Sequence, residues 1–560
     1  MADKIWDVII VGSGANGGWA AKQLCEAGLE VLMVEAGRDL DPPEDFSEHV
    51  LPYELPLRGR QDPRNSLLAR RPIGRRCYAC EETNADFFID EVENPYTAPK
   101  NKPFWWIRPN RVGGRTLMWG RQSYRMSDYD FKAASHDGYG DDWPLAYEDL
   151  APYYDTVERF IGVSGREEGL AVLPDGQFLP PMAYSCGEKI LKEAVDGMGR
   201  RLTIGRAAVN TVRHQGRAEC HYCGPCHRGC LTGSYFSSPV STLPAAIATG
   251  KFNLVSQAMV HRVVLDGRGR AESVLLIDKT TGHEERLYAR IVVLAASTLA
   301  STRILFNSHN PSFPDGLANS SGVLGHYLMD HVFGVGASGV LPLRQGVKPE
   351  LANRPNGIYV PRFRNLGKKE PGFIRGYGFQ GGERVTVYEH AYSTPGFGAE
   401  FKESVRGANV ARLSLSGFAE MLPRFENRCY LDPDKKDQWG IPALRFEVEH
   451  GDNERALVTD LVEQAAGMLE AAGVEEIRRR EEPQVPGFAI HEVGTARMGD
   501  DPETSVVNPF NQTHDVKNLY VMDGSSYVSI GCVNPTLTMM ALTVRACDHL
   551  IDQARTGGLA

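Results

Sequence analysis

The N-terminal stretch through Glu35 constrains this chain more than any other. Trp6-Asp-Val-Ile-Ile-Val11 is an apolar run that reads as a buried parallel strand, and it ends in the glycine turn Gly12-Ser-Gly14-Ala-Asn-Gly17-Gly18. Ala20, Leu24 and Ala27 follow at helical spacing, and Val31-Leu-Met-Val34 reads as a second strand with Glu35 at its end. Each part has a mechanical task. Gly12 allows the tight turn, Gly14 lets the backbone approach a pyrophosphate, and Gly17 lets helix and strand pack closely. The helix N-terminus offers unpaired N–H groups and partial positive charge to that pyrophosphate. Glu35 can accept hydrogen bonds from a ribose diol. A dinucleotide site follows, and both NAD and FAD fit this unit.

At 560 residues the chain divides into two or more domains. Its 61 basic against 71 acidic residues give a net charge of −10, which argues against a nucleic-acid partner. No apolar run reaches the roughly 20 residues that a membrane helix needs. The first strand starts near Ile5, which leaves no room for a signal peptide; we expect a protein that stays in the cytoplasm or leaves it folded, carried by a partner. Of its 11 cysteines, Cys25, Cys186, Cys429, Cys532 and Cys547 are scattered and read as small buried hydrophobes. The rest cluster as Cys77-x2-Cys80 and as Cys220, Cys223, Cys226 and Cys230, a grouping suited to metal or redox chemistry.

From Asp41 to about Pro103, prolines, arginines and acids alternate with few periodic apolar runs, which predicts an extended excursion over the surface carrying Cys77 and Cys80. Arg108 to Gly120 holds Gly113-Gly114 ahead of Met118-Trp119, a turn suited to close backbone approach to a ligand. Trp143-Pro144 is expected to open a helix with proline in its first turn. Cys220-x2-Cys223-x2-Cys226-x3-Cys230 repeats the bacterial ferredoxin spacing without a second run. It is compatible with a [3Fe–4S] cluster, with a [4Fe–4S] cluster completed by a remote thiolate such as Cys77 or Cys80, with structural zinc helped by His221 and His227, or with simple packing.

Phe252–Val255, Met259–Leu265 and Val274–Ile277 read as strands, and Ile291–Leu294 feeds a small-residue turn and a helix. Asn319 to His331 reads as a further helix, in which neither His326 nor His331 has an evident partner. Between about Val332 and Gly487 an alternating, aromatic-rich texture (Tyr359, Phe373, Tyr377, Phe379, Tyr388, Tyr392) predicts an antiparallel sheet forming one wall of a pocket. Asp452 to Ala472 reads as a helix. His491-Glu-Val-Gly494-Thr495 precedes a loop, then the strand Leu519–Met522 ends at Asp523-Gly524. Asn534-Pro535 opens the last helix, with Pro535 suited to its first position and Asn534 to its N-cap; capping is the whole role that local pattern assigns to Asn534.

These motifs together resemble the glucose-methanol-choline (GMC) family of FAD-dependent alcohol oxidoreductases, over nearly the whole chain. The resemblance rests on Gly12-x-Gly14-x-x-Gly17 with Glu35, on Gly113-Gly114 through Trp119-Gly120, and on Val292-Val-Leu-Ala-Ala296. It continues through Leu431-Asp-Pro to Gly440-Ile-Pro442, His491-x-x-Gly494-Thr495, and Asn534-Pro535-Thr-Leu-Thr538. Within the family it is closest to the catalytic flavoprotein subunit of bacterial glucoside 3-dehydrogenases. The resemblance implies an α/β fold: a Rossmann-like FAD-binding domain over residues 1–330, with a cysteine insertion at about 210–235 and the excursion 41–103. It also implies an α+β substrate domain on an antiparallel sheet over 331–487, and a return to the FAD-binding domain over 488–560.

It further implies that His491 takes the proton of a substrate hydroxyl while Asn534 binds the same oxygen. The FAD-binding residues would be Gly12, Gly14, Gly17, Glu35, Gly113, Gly114, Trp119, Val260, Asp523, Gly524 and Pro535. Related pyranose oxidases link flavin through a histidine at the position that here resembles Met118, so the FAD is expected to be non-covalent. Cys220, Cys226 and Cys230 match the three cluster cysteines of related flavin dehydrogenases, with Cys223 left as a candidate fourth ligand. The expected activity is oxidation of a secondary hydroxyl of a sugar or glycoside, at C3, with electrons leaving to a cytochrome c. A small partner subunit bearing a twin-arginine signal would carry the chain to the periplasm. Alternatives are an oxidase using O2, a cyanohydrin lyase that keeps FAD as a fossil, and a non-catalytic flavoprotein whose cysteines bind zinc.

Overall fold

The computed structural model describes residues 4–51, 53–55, 66–344, 354–385, 391, 394–407 and 410–556; Tyr388 and Tyr392 lie outside the described residues. The N-terminal reading holds. Strand β1 (Ile5–Val11) enters helix α1 (Ala15–Glu26), which returns as β2 (Val31–Val34). β1 pairs in parallel with β2, Val8 against Val31 through Val11 against Val34. β2 pairs with β3 (Phe252–Val255), and the chain then runs antiparallel through β4 (Ala258–Leu265), β5 (Ala271–Asp278) and β6 (Glu284–Leu294). The C-terminal half of β6 lies parallel to β1, with Val292 against Ile9. Strands with Val8, Ile9, Ile10, Val292 and Val293 fully buried are covered on both faces, as a parallel sheet requires.

β6 feeds helix α2 (Thr298–Asn307), and much later the strand Leu519–Val521 pairs beside β6, Leu519 against Val292. The final helix (Thr536–Thr556) then packs on α1: the Asn16 amide donates to the Met539 carbonyl at 3.0 Å and to Thr543 Oγ1 at 2.7 Å. Both chain ends therefore build one layer.

A second, six-stranded sheet is antiparallel: strands Gly336–Val340, Ile358–Val360, Tyr377–Val385 and Ala411–Ala419 are joined at its edges by Glu475–Arg480 and Thr203–Ile204. The helix Asp452–Ala471 covers it with Leu457, Leu461, Ala465 and Leu469 against Leu413 and Leu415. Leu191, Val195 and Leu202 join this core, so residues well before 331 pack with the substrate-side sheet.

Several local expectations are corrected. No helix forms over 319–331, because Gly322, Gly325 and Tyr327 have positive φ and Met329 and Val332 bridge to Val493 and Ala419. The helix expected at Trp143-Pro144 begins at Tyr147, since Trp143 is buried and donates through Nε1 to Ser529 Oγ at 2.9 Å. Cys186 is exposed at the first position of the helix Cys186–Gly197. The excursion does not stay on the surface. Leu68, Cys77, Cys80, Phe87 and Phe88 form a core with Ile107, Leu117 and Met118, while the buried Arg111 pairs with Asp45 and Asp86. Irregular backbone can bury apolar side chains without helical or strand period, which is why pattern reading missed it. Among the described residues no helix is long and apolar enough to cross a membrane.

The turn glycines separate into two mechanical classes. A Cβ on Gly17 would stand 1.9 Å from the Gly12 carbonyl oxygen, whereas one on Gly14 meets nothing within 4 Å. Gly17→Ala should therefore lower stability by about 1–3 kcal/mol in denaturant unfolding, as overpacking does. Gly14→Ala should leave the fold's stability without cofactor unchanged and lower only cofactor content. Equal unfolding midpoints for the two variants would contradict this division.

Candidate active site

A cavity of about 690 Å³ runs between the two sheets and is lined by Gly12, Gly14, Glu35, Gly114, Trp119, Val260, His491, Asp523, Gly524, Asn534 and Pro535. Its size falls in the range of roughly 300–1,000 Å³ usual for cofactor and ligand pockets. Gly17 and Gly113 stand behind the lining: the first seats α1, and the second donates its N–H to Ser13 Oγ at 2.9 Å. The starts of α1 (Ala15, Asn16), of α2 (Thr298) and of the last helix (Thr536) all face this space. Three helix N-termini present unpaired N–H groups and partial positive charge to one cavity, an arrangement suited to an anionic ligand.

Glu35 is held in place by its own turn. Its Oε2 accepts from Ser13 N at 2.9 Å and from Ser13 Oγ at 2.6 Å, and its Oε1 accepts from Gly37 N at 2.7 Å. Asp523, buried, accepts from Ser301 Oγ at 2.5 Å and from Ser525 N and Oγ at 3.0 and 2.6 Å. Burial raises its carboxyl pKa, with these donors opposing. It ties the strand end at Val521 to α2. A dinucleotide fits this cradle: Gly14 leaves open space where a Cβ would stand, and acid, glycine turn and helix starts surround one elongated cavity.

The two predicted catalytic residues meet. Asn534 Nδ2 lies 3.2 Å from His491 Nε2. The amide is oriented by Gln380, whose Nε2 donates to Asn534 Oδ1 at 2.5 Å. Asn534 is not the helix cap: the last helix begins at Thr536, and the first backbone bond runs from Met539 N to the Pro535 carbonyl. Pro535 thus takes the cap position, and the Asn534 side chain is free to face the cavity.

Behind His491 lies His331, which pattern reading left without a partner. His331 Nε2 is 2.9 Å from the Gly531 carbonyl, and the two Nδ1 atoms of His331 and His491 are 3.0 Å apart. A carbonyl only accepts, so His331 Nε2 carries the proton and its Nδ1 is a lone pair. His491 Nδ1 must then donate to that lone pair. His491 Nε2 is consequently left unprotonated, facing the Asn534 amide, in the state a general base needs. Burial is the main cause that holds His491 well below the ordinary imidazole range, with His331 and Arg115 adding to it. Burial also pushes His331 down to about 4, against its bond to Gly531. Phe418 lies obliquely beside His491 with ring centroids 5.7 Å apart.

The loop carrying His491 is clamped from two sides. The buried Asp330 accepts from the N–H groups of Gly487, Ala489 and His491 at 2.8, 3.1 and 3.0 Å. Burial, with Glu492 nearby, raises its carboxyl to about 7. Glu492 makes a bidentate pair with Arg115 at 2.6 and 3.0 Å, joining this loop to the Gly113-Gly114 turn. Sequence reading missed Asp330, Gln380, Arg115 and Phe418, because each acts through a partner distant in the chain.

The four cysteines of the ferredoxin-like run share a second, small cavity with Val209, Tyr235 and Pro355. Tyr222 N donates to Cys220 Sγ at 3.4 Å and Ser234 N to Cys230 Sγ at 3.3 Å; burial raises the Cys220 thiol, with the Tyr222 bond opposing. Cys77 and Cys80 do not line it; they belong to the excursion's core. Pro355 lines both cavities, and Trp119, on the wall of the larger one, packs against the core that holds Cys220, Cys226 and Cys230.

A neutral base and an amide donor at the side of a dinucleotide cavity suit an oxidoreductase acting on CH–OH groups. The comparisons agree. Family profiles described as GMC oxidoreductase match residues 7–333 and 423–543, and the chain belongs to that family, whose cofactor is FAD. It is similar to a 2-methyl-1,2-propanediol dehydrogenase of Mycolicibacterium austroafricanum, 32% identical and covering 97% of this chain and 95% of the relative. It is also similar to a fructose dehydrogenase large subunit of Gluconobacter japonicus, 27% identical over 98% of each. Pyridoxine 4-oxidase from Mesorbium loti shares the fold with a TM-score of 0.63 at 16% identity, covering 97% of this chain and 99% of that one.

With His491 held neutral, the rate of flavin reduction at saturating substrate should lack the acid limb that an unperturbed imidazole gives near about 6.5. The neighbouring Asp330 carboxyl lies at about 7, so the check is stopped-flow reduction from about pH 8 to about pH 6 in wild-type protein and in Asp330→Asn; a limb centred near about 6.5 that persists in Asp330→Asn would mean that the base is solvated.

Proposed function

We propose that the protein is an FAD-dependent dehydrogenase of sugars or glycosides. It would oxidise a secondary hydroxyl, at C3 of the ring, to a ketone and deliver electrons to an external acceptor such as a cytochrome c. The observation that carries alcohol oxidation is the chain Gly531–His331–His491–Asn534, which aims an unprotonated nitrogen and an N–H donor at one point of the cavity. His491 takes the hydroxyl proton, Asn534 holds the same oxygen, and Gln380 keeps the Asn534 amide turned toward it. FAD, bound without a covalent link, supplies the hydride acceptor. The start of the last helix, beside Asn534, favours negative charge arising there. Gln122, Arg354 and Asn356 also line the cavity and offer the several polar groups that a polyhydroxylated substrate requires. The fructose dehydrogenase relative supports a sugar substrate and a partner subunit.

The cysteine cavity supports the dehydrogenase reading over an oxidase. Its residues fit an iron–sulfur cluster: thiols grouped on one cavity, two of them receiving N–H bonds, against a wall shared with the flavin cavity. We assign it to a [3Fe–4S] cluster on Cys220, Cys226 and Cys230, or a [4Fe–4S] cluster if a further thiolate joins. Such a cluster would supply one-electron transfer, which a haem acceptor needs and O2 does not. Export to the periplasm with a small subunit bearing a twin-arginine signal completes this reading.

His491→Ala should slow sugar-driven flavin reduction by roughly 10²–10⁴ with flavin content unchanged. Cys226→Ser should leave flavin bleaching by glycosides nearly intact yet abolish cytochrome c reduction. Stoichiometric peroxide released at full rate by that variant would put a glycoside oxidase in its place. Acid precipitation should leave all yellow colour in the supernatant, and flavin retained on the washed pellet would refute the non-covalent assignment.

A further inference from the structure

Beside the cysteine cavity, one ligand atom from each of His49, His221 and Cys223 lies within 4.8 Å of the other two. We propose that these residues form a separate mononuclear site for a borderline-soft divalent cation, Zn²⁺, completed by a solvent ligand. Neither His49 nor a site of this kind is part of the cluster assignment above, and the inference stands without that assignment.

The juxtaposition is built. Residues 46–49 belong to the excursion and lie far from the cysteine run in sequence, yet several contacts hold them together. Ser47 N donates to the Arg228 carbonyl at 3.0 Å, and Leu231 N donates to Glu48 Oε1. Gly229, with φ of +104°, presses its Cα face against Phe46, where a Cβ would stand 2.2 Å from the ring. His49 is thereby set against His221, with Nε2 atoms 2.8 Å apart. Such a separation needs one ring to give an N–H to the other or both to give lone pairs to a cation. With Zn–N of about 2.0–2.1 Å, tetrahedral binding separates the two nitrogens by roughly 3.3 Å. The opening required is about half an ångström, and both imidazoles are exposed.

A second observation points to a cation. Glu48 is only 3% exposed, and its Oε2 has no hydrogen-bond partner. A buried carboxylate oxygen without a hydrogen-bond partner, on the residue next to His49, is stabilised by positive charge nearby. Two imidazoles and one thiolate are a donor set that favours zinc over magnesium or calcium. On binding, the thiol proton of Cys223 leaves to solvent, the imidazoles bind as neutral donors, and no electron is transferred. The site would pin the excursion to the cysteine loop and keep Cys223 away from cluster ligation.

The test uses the full-length holoenzyme, purified anaerobically, with labile zinc removed by chelator and Co²⁺ added as the probe. Wild-type protein should bind one equivalent and show tetrahedral ligand-field bands at long wavelength, beyond the flavin absorption, with a sulfur charge-transfer band. His49→Ala and Cys223→Ser should each weaken Co²⁺ binding at least tenfold without changing iron or flavin content. His227→Ala should keep the signal. Absence of the bands in wild-type protein, their survival in His49→Ala, or loss of iron in Cys223→Ser would overturn the proposal. If the four thiolates of the cysteine run instead held zinc among themselves, iron would be absent and the signal would survive His49→Ala, which separates failure of the cluster assignment from failure of this one.

Discussion

The contact between the Nδ1 atoms of His331 and His491 governs the chemistry of this fold. Two imidazole nitrogens at 3.0 Å, away from water, must share one proton, and the Gly531 carbonyl decides which ring carries it. A solvated His491 would exchange tautomers and titrate near neutrality. Packed against Phe418 and bonded to His331, it keeps a free lone pair on Nε2 instead. Three chain segments, around residues 331, 491 and 531, must be held together for this bond to exist.

Much of the surrounding structure performs that holding. The strand Leu519–Val521 joins the sheet begun by the first residues, and the last helix packs on α1 through Asn16. Asp330 gathers three backbone N–H groups of the His491 loop, and the Arg115–Glu492 pair fastens the same loop to the glycine turn over the cavity. The Arg115–Glu492 clamp is an ion pair with Glu492 only 1% exposed, so removing Arg115 leaves an uncompensated buried charge. The antiparallel sheet adds Gln380 and Phe418 from its two central strands. A rigid site of this kind presents the substrate hydroxyl with donors and acceptors whose orientation needs no rearrangement.

The cysteine region shows how tertiary packing redistributes a local motif. Spacing alone groups Cys220, Cys223, Cys226 and Cys230 as equivalents and offers Cys77 or Cys80 as a remote ligand. In the fold, Cys77 and Cys80 are committed to an apolar core, and Cys223 faces both the shared cavity and a pair of histidines. The excursion that pattern reading spread over the surface folds inward, pairs Arg111 with Asp45 and Asp86, and delivers His49 to the cysteine loop.

The pairing of His491 with Asn534 was implied only by the family resemblance; the sequence by itself determined the dinucleotide unit, the strands of the nucleotide domain and the antiparallel sheet. These are legible because local backbone demands impose them: a buried parallel strand needs an apolar run, and Gly12 and Gly17 sit where no Cβ fits. Only the tertiary structure decided the roles of His331, Gln380, Asp330 and Arg115, the release of Asn534 from capping, and the loss of the helix expected over 319–331. Each of these depends on a proton, a charge or a backbone group supplied from a remote segment. Periodicity reports which face of an element is buried; it carries no information about which polar atom waits on the other side.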